Sequence, residues 1–343
     1  MPAGLLRKLT GKRQPHKGFA HFYRRDLEPL LAEEERFRKK CVLAAALLAF
    51  LAFGGAFTFV LSTRSWVFAA LAGALTASLV LLATPAFFRR LGFQTALKRR
   101  VIPKIAGLVD PSLAYNPRGL VPGSVFMASR LFGTFDSYKG EDCFSGVIGG
   151  TGMMFSELRV KVKTQRKKHD KGMRPIFSGV FFVADFNKHF HGITTVFPNV
   201  AEKVLGSVGR QLQRLDFTRT GAMVDLEDAR FNRHFVAYST DQIEARYILT
   251  PSLMETLARF REESGLSFRF SFAESRLHMA FPSSVDRFEF SFYTTLLDPA
   301  IYAEIHSDIR FFAGIVKELN LNRRIWSKRP EPPREAAGDN AYA

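Results

Sequence analysis

One pair of histidines has a spacing that metal ligands use. His189 and His191 lie two residues apart, so on a strand they would share a face, and Asp185 is close by. Neutral imidazoles and carboxylates bind zinc or copper, but no third and fourth ligand follows at a recognisable spacing. Because Asn187–Gly192 is also typical of a turn, we favour a polar hairpin tip and expect no metal and no cofactor.

A glycine-rich segment offers backbone amides that can cradle a phosphate. The segment is Gly149-Gly150-Thr151-Gly152. A phosphate loop opens a helix or precedes Lys with Ser or Thr, whereas the residues that follow here alternate in polarity like a strand. We therefore predict a β-turn between strands at 142–149 and 152–164.

The other candidates for chemistry are better explained by structure. Cys143 has no neighbour that would lower the pKa of its thiol, so packing is its favoured role. Asp225, Glu227 and Asp228 lack the spacing of an EF-hand and indicate a solvated acidic turn. Asp241 and Glu244, three residues apart, resemble the capping box of a short helix, which explains Glu244 better than acid–base chemistry does. The sequence predicts no catalytic residue.

The densest basic run of residues 123–326 has two interpretations. It is either a solvated hairpin tip or a surface that docks onto anionic lipid, where each basic residue contributes about 1 kcal/mol. An RNA contact would need interleaved aromatic residues for base stacking, and these are lacking. The candidate anionic-surface loop comprises Arg166, Lys167, Lys168 and Lys171.

Two long apolar runs near the N-terminus are expected to fix the location of the domain that follows them. The first extends from Cys41 to Leu61 and the second from about Trp66 to Phe88, and Arg64 is the only charged residue within them or between them. A helix of either length covers roughly 30 Å, the thickness of the hydrocarbon core of a bilayer. The linker Ser62–Ser65 is short, so we predict a transmembrane helical hairpin. Two buried helices of a soluble domain are the alternative.

Basic residues flank both runs, and they predict an orientation. Short loops rich in Lys and Arg remain in the cytoplasm, so both termini and the main domain are expected there. The same side chains would meet anionic lipid headgroups. The flanking residues are Arg36, Arg38, Lys39, Lys40, Arg89, Arg90, Arg99 and Arg100.

The net charge of +17 is unevenly distributed. Residues 1–40 carry +6, residues 89–104 carry another +6, and residues 105–343 carry only +4. A nucleic-acid-binding domain would concentrate its excess charge on the folded part, so we expect no nucleic-acid partner. Two cysteines far apart in sequence give no disulfide framework, which agrees with a reducing compartment.

The remainder of the chain predicts a mixed α+β fold. Apolar residues alternate with polar ones over 266–272, 277–281 and 288–292, which is typical of an antiparallel meander with one buried face. A helix is predicted at 198–215, and Asp298-Pro299 begins a C-terminal helix. The predicted organisation is a basic segment with an amphipathic helix (1–40), the hairpin (41–88), a basic juxtamembrane connector (89–122), a cytoplasmic α+β domain (123–326) and a disordered tail (327–343).

Four stretches of the chain resemble a known family. They are Glu28–Leu31 (EPLL), Asp142–Gly146 (DCFSG), Phe177–Lys188 (FSGVFFVADFNK) and Tyr238–Pro251 (YSTDQIEARYILTP). The family is bacterial and uncharacterised, is catalogued only as a domain of unknown function, and has two N-terminal transmembrane helices. The resemblance covers roughly residues 20–325. It implies a location in the bacterial inner membrane and brings no activity or catalytic residue.

These observations lead to an expected function. We expect a membrane-anchored cytoplasmic interaction module with two spans in the lipid bilayer. It would bind a protein or an anionic lipid partner without catalysis. The alternative is a membrane-associated enzyme that acts on lipid or envelope precursors, with a site that forms only in three dimensions.

Overall fold

Helices form the N-terminal part of the described chain. The computed structural model describes residues 17–61, 67, 70–76, 78, 92–163, 172–186, 188–199, 221–290, 294–319 and 321. Helix α1 (Lys17–Phe22) continues through a π-helical turn (Tyr23–Leu27) into the long helix α2 (Glu28–Leu61), and α3 (Phe93–Val109) follows later in the chain. Residues 70–76 are also helical. The amphipathic segment before the first apolar run therefore continues directly into it.

The described strands form a single antiparallel sheet. The strands are β1 (Ala114–Asn116), β2 (Ser137–Ile148), β3 (Thr151–Lys163), β4 (Met173–Asp185), β5 (Thr194–Pro198), β6 (Ala222–Met223), β7 (Phe235–Ser239), β8 (Arg269–Ala273) and β9 (Arg276–Pro282). Their order in the sheet is β1-β2-β3-β4-β9-β8-β5-β7-β6. The remaining helices are α4 (Gly123–Ala128), α5 (Ala229–His234), α6 (Gln242–Ile248), α7 (Pro251–Ser264) and α8 (Pro299–Glu318). The predicted α+β class, with an antiparallel sheet and a C-terminal helix, is confirmed.

Short turns join two of the predicted strand pairs. Gly149 and Gly150, with φ of 57° and 83°, connect β2 to β3, so the predicted β-turn is confirmed. Glu274 and Ser275, with φ of 52° and 54°, connect β8 to β9. Positive φ at both central residues is the requirement of the tight hairpin turn that matches the strand twist.

The predicted meander is correct for two strands and wrong for the third. Residues 288–290 form no strand, although Phe288 and Phe290 are buried in the core. Side chains satisfy the backbone of this segment: Glu157 Oε1 accepts from the Arg287 N–H at 2.8 Å, and the Gln94 amide donates to the Phe290 carbonyl at 3.0 Å. The alternation at 288–290 therefore predicts the burial of the phenylalanines correctly and the strand wrongly.

Apolar side chains fill both faces of the sheet. On one face, residues such as Phe155 and Phe270 pack against α3, α7 and α8 in a large core. On the other face, Phe181 and Phe197 belong to a smaller core with Phe126 of α4. Burial of this much apolar surface is the main term that stabilises the domain.

Side-chain caps begin the helices where the sequence predicts them. Thr250 Oγ1 accepts from the Leu253 N–H, and Asp298 Oδ1 accepts from the Ala300 N–H at 2.9 Å. Proline follows each of these caps, where its missing N–H costs nothing. The helix predicted at 198–215 and the tail predicted at 327–343 fall almost wholly or wholly outside the described residues. The stretch 89–122, predicted as a connector, contains α3 and β1, which contribute to the main fold.

The helices around the apolar runs pair in antiparallel fashion. Phe53 of α2 lies against Gly73, where a Cβ would come within 2.7 Å of the phenylalanine ring. Closer to the sheet, the rings of Phe37 and Phe93 stack with centroids 5.9 Å apart. Among the described residues, no helix combines the length and the apolar character that crossing a membrane would require. The structure thus shows the helical pairing and leaves the two predicted spans unsupported.

Candidate functional site

A buried ion pair joins α3 to the sheet. Lys98 is only 2% exposed, and its Nζ lies 2.7 Å from Asp142 Oδ2. Glu289 and Glu141 are also near, with carboxylate oxygens 3.3 Å and 3.5 Å from the ammonium nitrogen. A lysine buried this deeply requires such partners, because an unpaired buried charge is very costly.

Asp142 reaches this position through an irregularity of β2. The pairing of β2 with β3 shifts between Glu141 and Phe144, which is a β-bulge, and Asp142 there has φ of 58°. Aspartate tolerates the left-handed region better than most residues, and bulges redirect side chains. The hydroxyl of Tyr115 donates to the second carboxylate oxygen of Asp142.

The environment shifts the titration of this cluster. Burial lowers the pKa of Lys98, but the charges of Asp142, Glu289 and Glu141 outweigh burial and hold that pKa above its ordinary value. Burial raises the pKa of Asp142 to about 6, although Lys98 opposes the shift. At neutral pH the pair is therefore ionised and attracts strongly in a weakly polar environment.

A second buried ion pair holds α2. Glu35 accepts from Arg38 Nη2 at 2.7 Å, and the pair is almost fully buried. Glu35 also accepts from the Leu296 N–H at 3.0 Å and from the Thr295 hydroxyl at 3.3 Å. The hydrogen bond from Arg38 is the main cause that lowers the pKa of Glu35 to about 2. The carboxylate thus binds α2 to the segment that precedes α8.

Together these contacts form what we call the junction clamp, defined by Lys98–Asp142 and Glu35–Arg38. Lys98 of α3 pairs with a carboxylate on the sheet, whereas Glu35 and Arg38 pair with each other within α2. Removing one partner of such a pair typically costs about 3–5 kcal/mol, because the other charge is left buried. The clamp positions the helices on the domain, and we assign it no role in bond chemistry.

A third polar group lies beside the clamp. Glu157 on β3 is buried, and burial is the main cause that raises its pKa to about 7. Arg287, whose N–H donates to Glu157, also forms an ion pair with Asp308 of α8 at 3.2 Å. A crevice next to Glu157 has a volume of about 10 Å³, which is room for a single water molecule and too small for a substrate.

The basic residues predicted to meet headgroups fall into three groups. Arg36, Lys39, Lys40 and Arg99 are exposed, as that role requires. Arg38 is buried with Glu35, and Arg100 lies on the surface against Glu34. Arg89, Arg90 and the candidate loop of Arg166, Lys167, Lys168 and Lys171 lie outside the described residues.

The histidine segment docks onto α6. Asp241 caps α6 as the capping box predicts, because its carboxylate accepts from the N–H groups of Ile243 and Glu244. The carboxylate of Glu244 does not complete the box; it accepts from the N–H groups of His191 and Gly192 and so fixes this loop. Lys188 lies over the ring of Tyr247 at 4.4 Å. Within the described ranges, no group of three or more His, Cys, Asp or Glu side chains has the geometry to hold a metal ion.

Cys143 is buried, and burial raises the pKa of its thiol to about 11. This environment suits the packing role predicted for it, because nucleophilic thiols have lowered pKa values.

Sequence reasoning missed the clamp for a physical reason. The partners of Lys98 lie 43, 44 and 191 residues away, so no local pattern connects them. One local signal was present: Lys98 interrupts the apolar stripe of α3 formed by Leu97, Val101 and Ile105. A charge on an apolar stripe indicates a buried partner.

A known family matches part of the chain. The fold defines a mixed α+β domain, and residues 175–321 match the family described as "Protein of unknown function (DUF3137)". This match covers β4 to α8 and confirms a domain of unknown function. No curated protein and no solved structure matches the chain.

Proposed function

We propose that the protein is a membrane-anchored module whose helical hairpin crosses the bilayer and holds the α+β domain at the cytoplasmic face. The observation that carries this proposal is a set of exposed apolar side chains on α2. Leu43, Leu47, Leu48, Phe50 and Leu51 are between 55% and 72% exposed. Contiguous apolar surface of this kind marks contact with a membrane or a partner protein.

The paired helices support contact with lipid. Leu71 and Leu75, on the helical residues paired with α2, are 62% and 63% exposed. The close approach of Gly73 to Phe53 is typical of helices that pack within lipid, where small residues allow close contact. A helix also satisfies its own backbone hydrogen bonds, as a bilayer demands.

The exposed basic residues support the orientation and the partner. Arg36, Lys39, Lys40 and Arg99 lie on α2 and α3 next to the apolar runs. Positive charge next to a membrane-spanning helix favours the cytoplasmic side of the bilayer and attracts anionic headgroups. The partner that we propose for the module is therefore the anionic lipid surface, bound without catalysis.

Arginine substitutions test the insertion into the bilayer. Leu47→Arg with Leu51→Arg places two charges on the exposed face of α2, at about 2.5–3.5 kcal/mol each near the bilayer centre. We expect the double variant to be extracted from membranes by alkaline carbonate, whereas the wild type stays in the pellet. The control, Ser252→Arg with Glu255→Arg on exposed positions of α7, stays with the wild type. Equal release of all three proteins would contradict the proposal.

Native mass spectrometry tests the lipid partner. Detergent-solubilised protein is mixed with phosphatidylglycerol or phosphatidylcholine, and the bound lipids are counted. We expect preferential binding of phosphatidylglycerol, which falls when Arg36, Lys39, Lys40 and Arg99 are all replaced by Gln. The matched control replaces four other exposed basic residues, Arg233, Arg259, Arg310 and Lys317. Loss of binding in both variants, or no preference in the wild type, would contradict a specific headgroup surface.

A further inference from the structure

One buried carboxyl group beside the junction clamp has no cation. Glu157 is 8% exposed, and among the described residues its side chain makes a single hydrogen bond, from the Arg287 N–H at 2.8 Å, and no ion pair. Glu141 on β2 is directly opposite it. Side chains opposite each other in an antiparallel pair share a face, with Cβ atoms about 5 Å apart, and like charges there repel. This arrangement favours a neutral, protonated carboxyl at Glu157.

The cations near Glu157 are already bound to other carboxylates. The contacts are those of Lys98 with Asp142, Glu289 and Glu141, of Arg159 with Asp286 and Glu141, and of Arg287 with Asp308. In the part of the chain that the structure describes, carboxylates therefore outnumber cations in this cluster. Asp142 and Asp286 repel a negative charge on Glu157, whereas Lys98 attracts it. Burial is the largest influence and makes that charge costly.

A short segment connects Glu157 to α3. Arg287 donates its N–H to Glu157, and Glu289, two residues further on, lies 3.3 Å from Lys98 Nζ. Gln94 of α3 donates to the Phe290 carbonyl at 3.0 Å. Residues 287–290 form no strand, so these side chains hold the backbone of the segment in place. An opening of this segment therefore exposes Glu157 to water and releases α3 at the same time.

A proton can reach the carboxyl while the segment is closed. The crevice beside Glu157, with a volume of about 10 Å³, has room for one water molecule and is lined in part by Ser178, Ser283 and the Arg159–Asp286 pair. Both members of that pair are about half exposed, so the crevice lies next to solvent. A water molecule there gives a short route between Glu157 and the surface.

We propose that the Glu157 carboxyl binds a proton near neutral pH and that this proton controls how firmly the domain holds α3. With the proton bound, the buried carboxyl is neutral and residues 287–290 stay closed over it. Without the proton, a negative charge is buried near Asp142 and Asp286, and the junction opens more often.

The direction of the pH effect follows from the two states of Glu157. Its pKa is about 7 in the closed state and returns to the ordinary 4.5 once water surrounds the carboxyl. The closed state therefore binds the proton more tightly, and the stability that it gains at low pH is lost as the pH rises through 7. Asp142, whose pKa is about 6, titrates mostly below this range.

Hydrogen exchange of the full chain in detergent at pH 6 and pH 8 tests the coupling. After correction for the intrinsic exchange rate at each pH, we expect α3 and residues 141–144 to open about tenfold more often at pH 8. A much smaller change is expected in α7, which carries none of the clustered groups. An equal rise in α7 would assign the effect to global unfolding and contradict a local coupling. No rise in α3 would overturn the proposal.

Two matched substitutions connect the pH effect to this carboxyl. Glu157→Gln keeps the size of the side chain and its acceptor oxygen but binds no proton, so most of the rise in α3 opening is expected to vanish. The control, Glu263→Gln on an exposed position of α7, keeps the rise of the wild type. An equal rise in Glu157→Gln and the wild type would overturn the role of Glu157.

A second variant keeps the test valid if Glu157→Gln fails to fold. Asp286→Asn removes a half-exposed charge that repels a charge on Glu157, and it frees Arg159 from its ion pair. Both changes favour the charged carboxyl, so we expect a smaller rise in α3 opening between pH 6 and pH 8. A rise as large as that of the wild type would contradict the proposal. Proton binding at Glu157 does not depend on a bilayer, so this proposal and that of membrane anchoring fail independently.

Discussion

Lys98 and Asp142 are 44 residues apart in sequence and form a buried ion pair with 2.7 Å between Nζ and Oδ2. This contact joins α3, the first helix after the apolar runs, to the bulge in β2. Glu35, which pairs with Arg38 within α2, accepts from the Leu296 N–H and so joins α2 to the segment before α8. The domain therefore holds both helices through buried charges, which resist displacement far better than exposed ion pairs do.

Substitution of Lys98 by Met is expected to destabilise the protein by about 3–5 kcal/mol, because Asp142 is left buried without its cation. Guanidinium unfolding of the detergent-solubilised protein, followed by circular dichroism, measures the change. The control, Lys104→Met on an exposed position of the same helix, should change stability by less than about 0.5 kcal/mol. A similar loss of stability in both variants would show that Lys98 and Asp142 do not form a buried ion pair.

Adding Asp142→Asn to Lys98→Met should restore part of the lost stability. The buried carboxylate is then neutral, so the double variant is more stable than the sum of the two single changes. Strict additivity would mean that Lys98 and Asp142 do not interact.

Stability should depend on pH through Glu157. Its pKa in the folded protein is about 7, above the ordinary 4.5, so the folded state holds the proton more tightly than the unfolded state. This contribution is present below pH 4.5 and is lost as the pH rises through 7, for a total of about 3 kcal/mol at most. Glu157→Gln removes the dependence, so the wild type loses stability relative to the variant over this range. If the free energy of unfolding changes with pH equally in the wild type and in Glu157→Gln, the prediction is contradicted.

Glu244 should stabilise the histidine loop. Glu244→Ala removes the acceptor of the His191 and Gly192 N–H groups, at a cost of about 2 kcal/mol for hydrogen bonds to a charged group. Hydrogen exchange should rise at residues 191–192 and stay unchanged in α8. Glu263→Ala, on an exposed position of α7, serves as the control, and unchanged exchange in the loop would refute the contact.

Gly179 should tolerate no side chain. It has φ of 144°, and a Cβ would lie 2.1 Å from the carbonyl oxygen of Phe281 on β9. Gly179→Ala is expected to cost more than about 2 kcal/mol, since the pairing of β4 with β9 must distort. Gly107→Ala in α3, where a Cβ meets open space, should raise stability by up to about 1 kcal/mol. Thermal unfolding of the two variants measures both changes in stability. A Gly179→Ala variant that is more stable than the wild type would contradict this geometry.

Local chemistry predicts the parts of the fold that depend on neighbouring residues. The Gly149-Gly150 turn and the caps at Thr250 and Asp298 involve contacts within a few residues, so their sequence pattern is sufficient. The alternation at 266–272 and 277–281 also predicts its hairpin, because a short turn fixes which strands pair.

Long-range pairing escapes this kind of reasoning. Nothing near β9 indicates that it pairs with β4, or that β8 pairs with β5. The role of Glu244 is equally hidden, because its partners are more than 50 residues away. Yet the stretches Phe177–Lys188 and Tyr238–Pro251, which carry the family resemblance, meet at this loop, where Lys188 Nζ donates to the Tyr247 carbonyl.

Cysteine labelling in intact cells tests whether the proposed helical hairpin crosses a membrane and leaves the domain in the cytoplasm. In a chain without Cys41 and Cys143, single cysteines replace Thr63 in the predicted outer turn and Lys104 on α3. A membrane-impermeant maleimide should label position 63 from outside and position 104 only after permeabilisation. Labelling of both positions under the same condition would contradict the account.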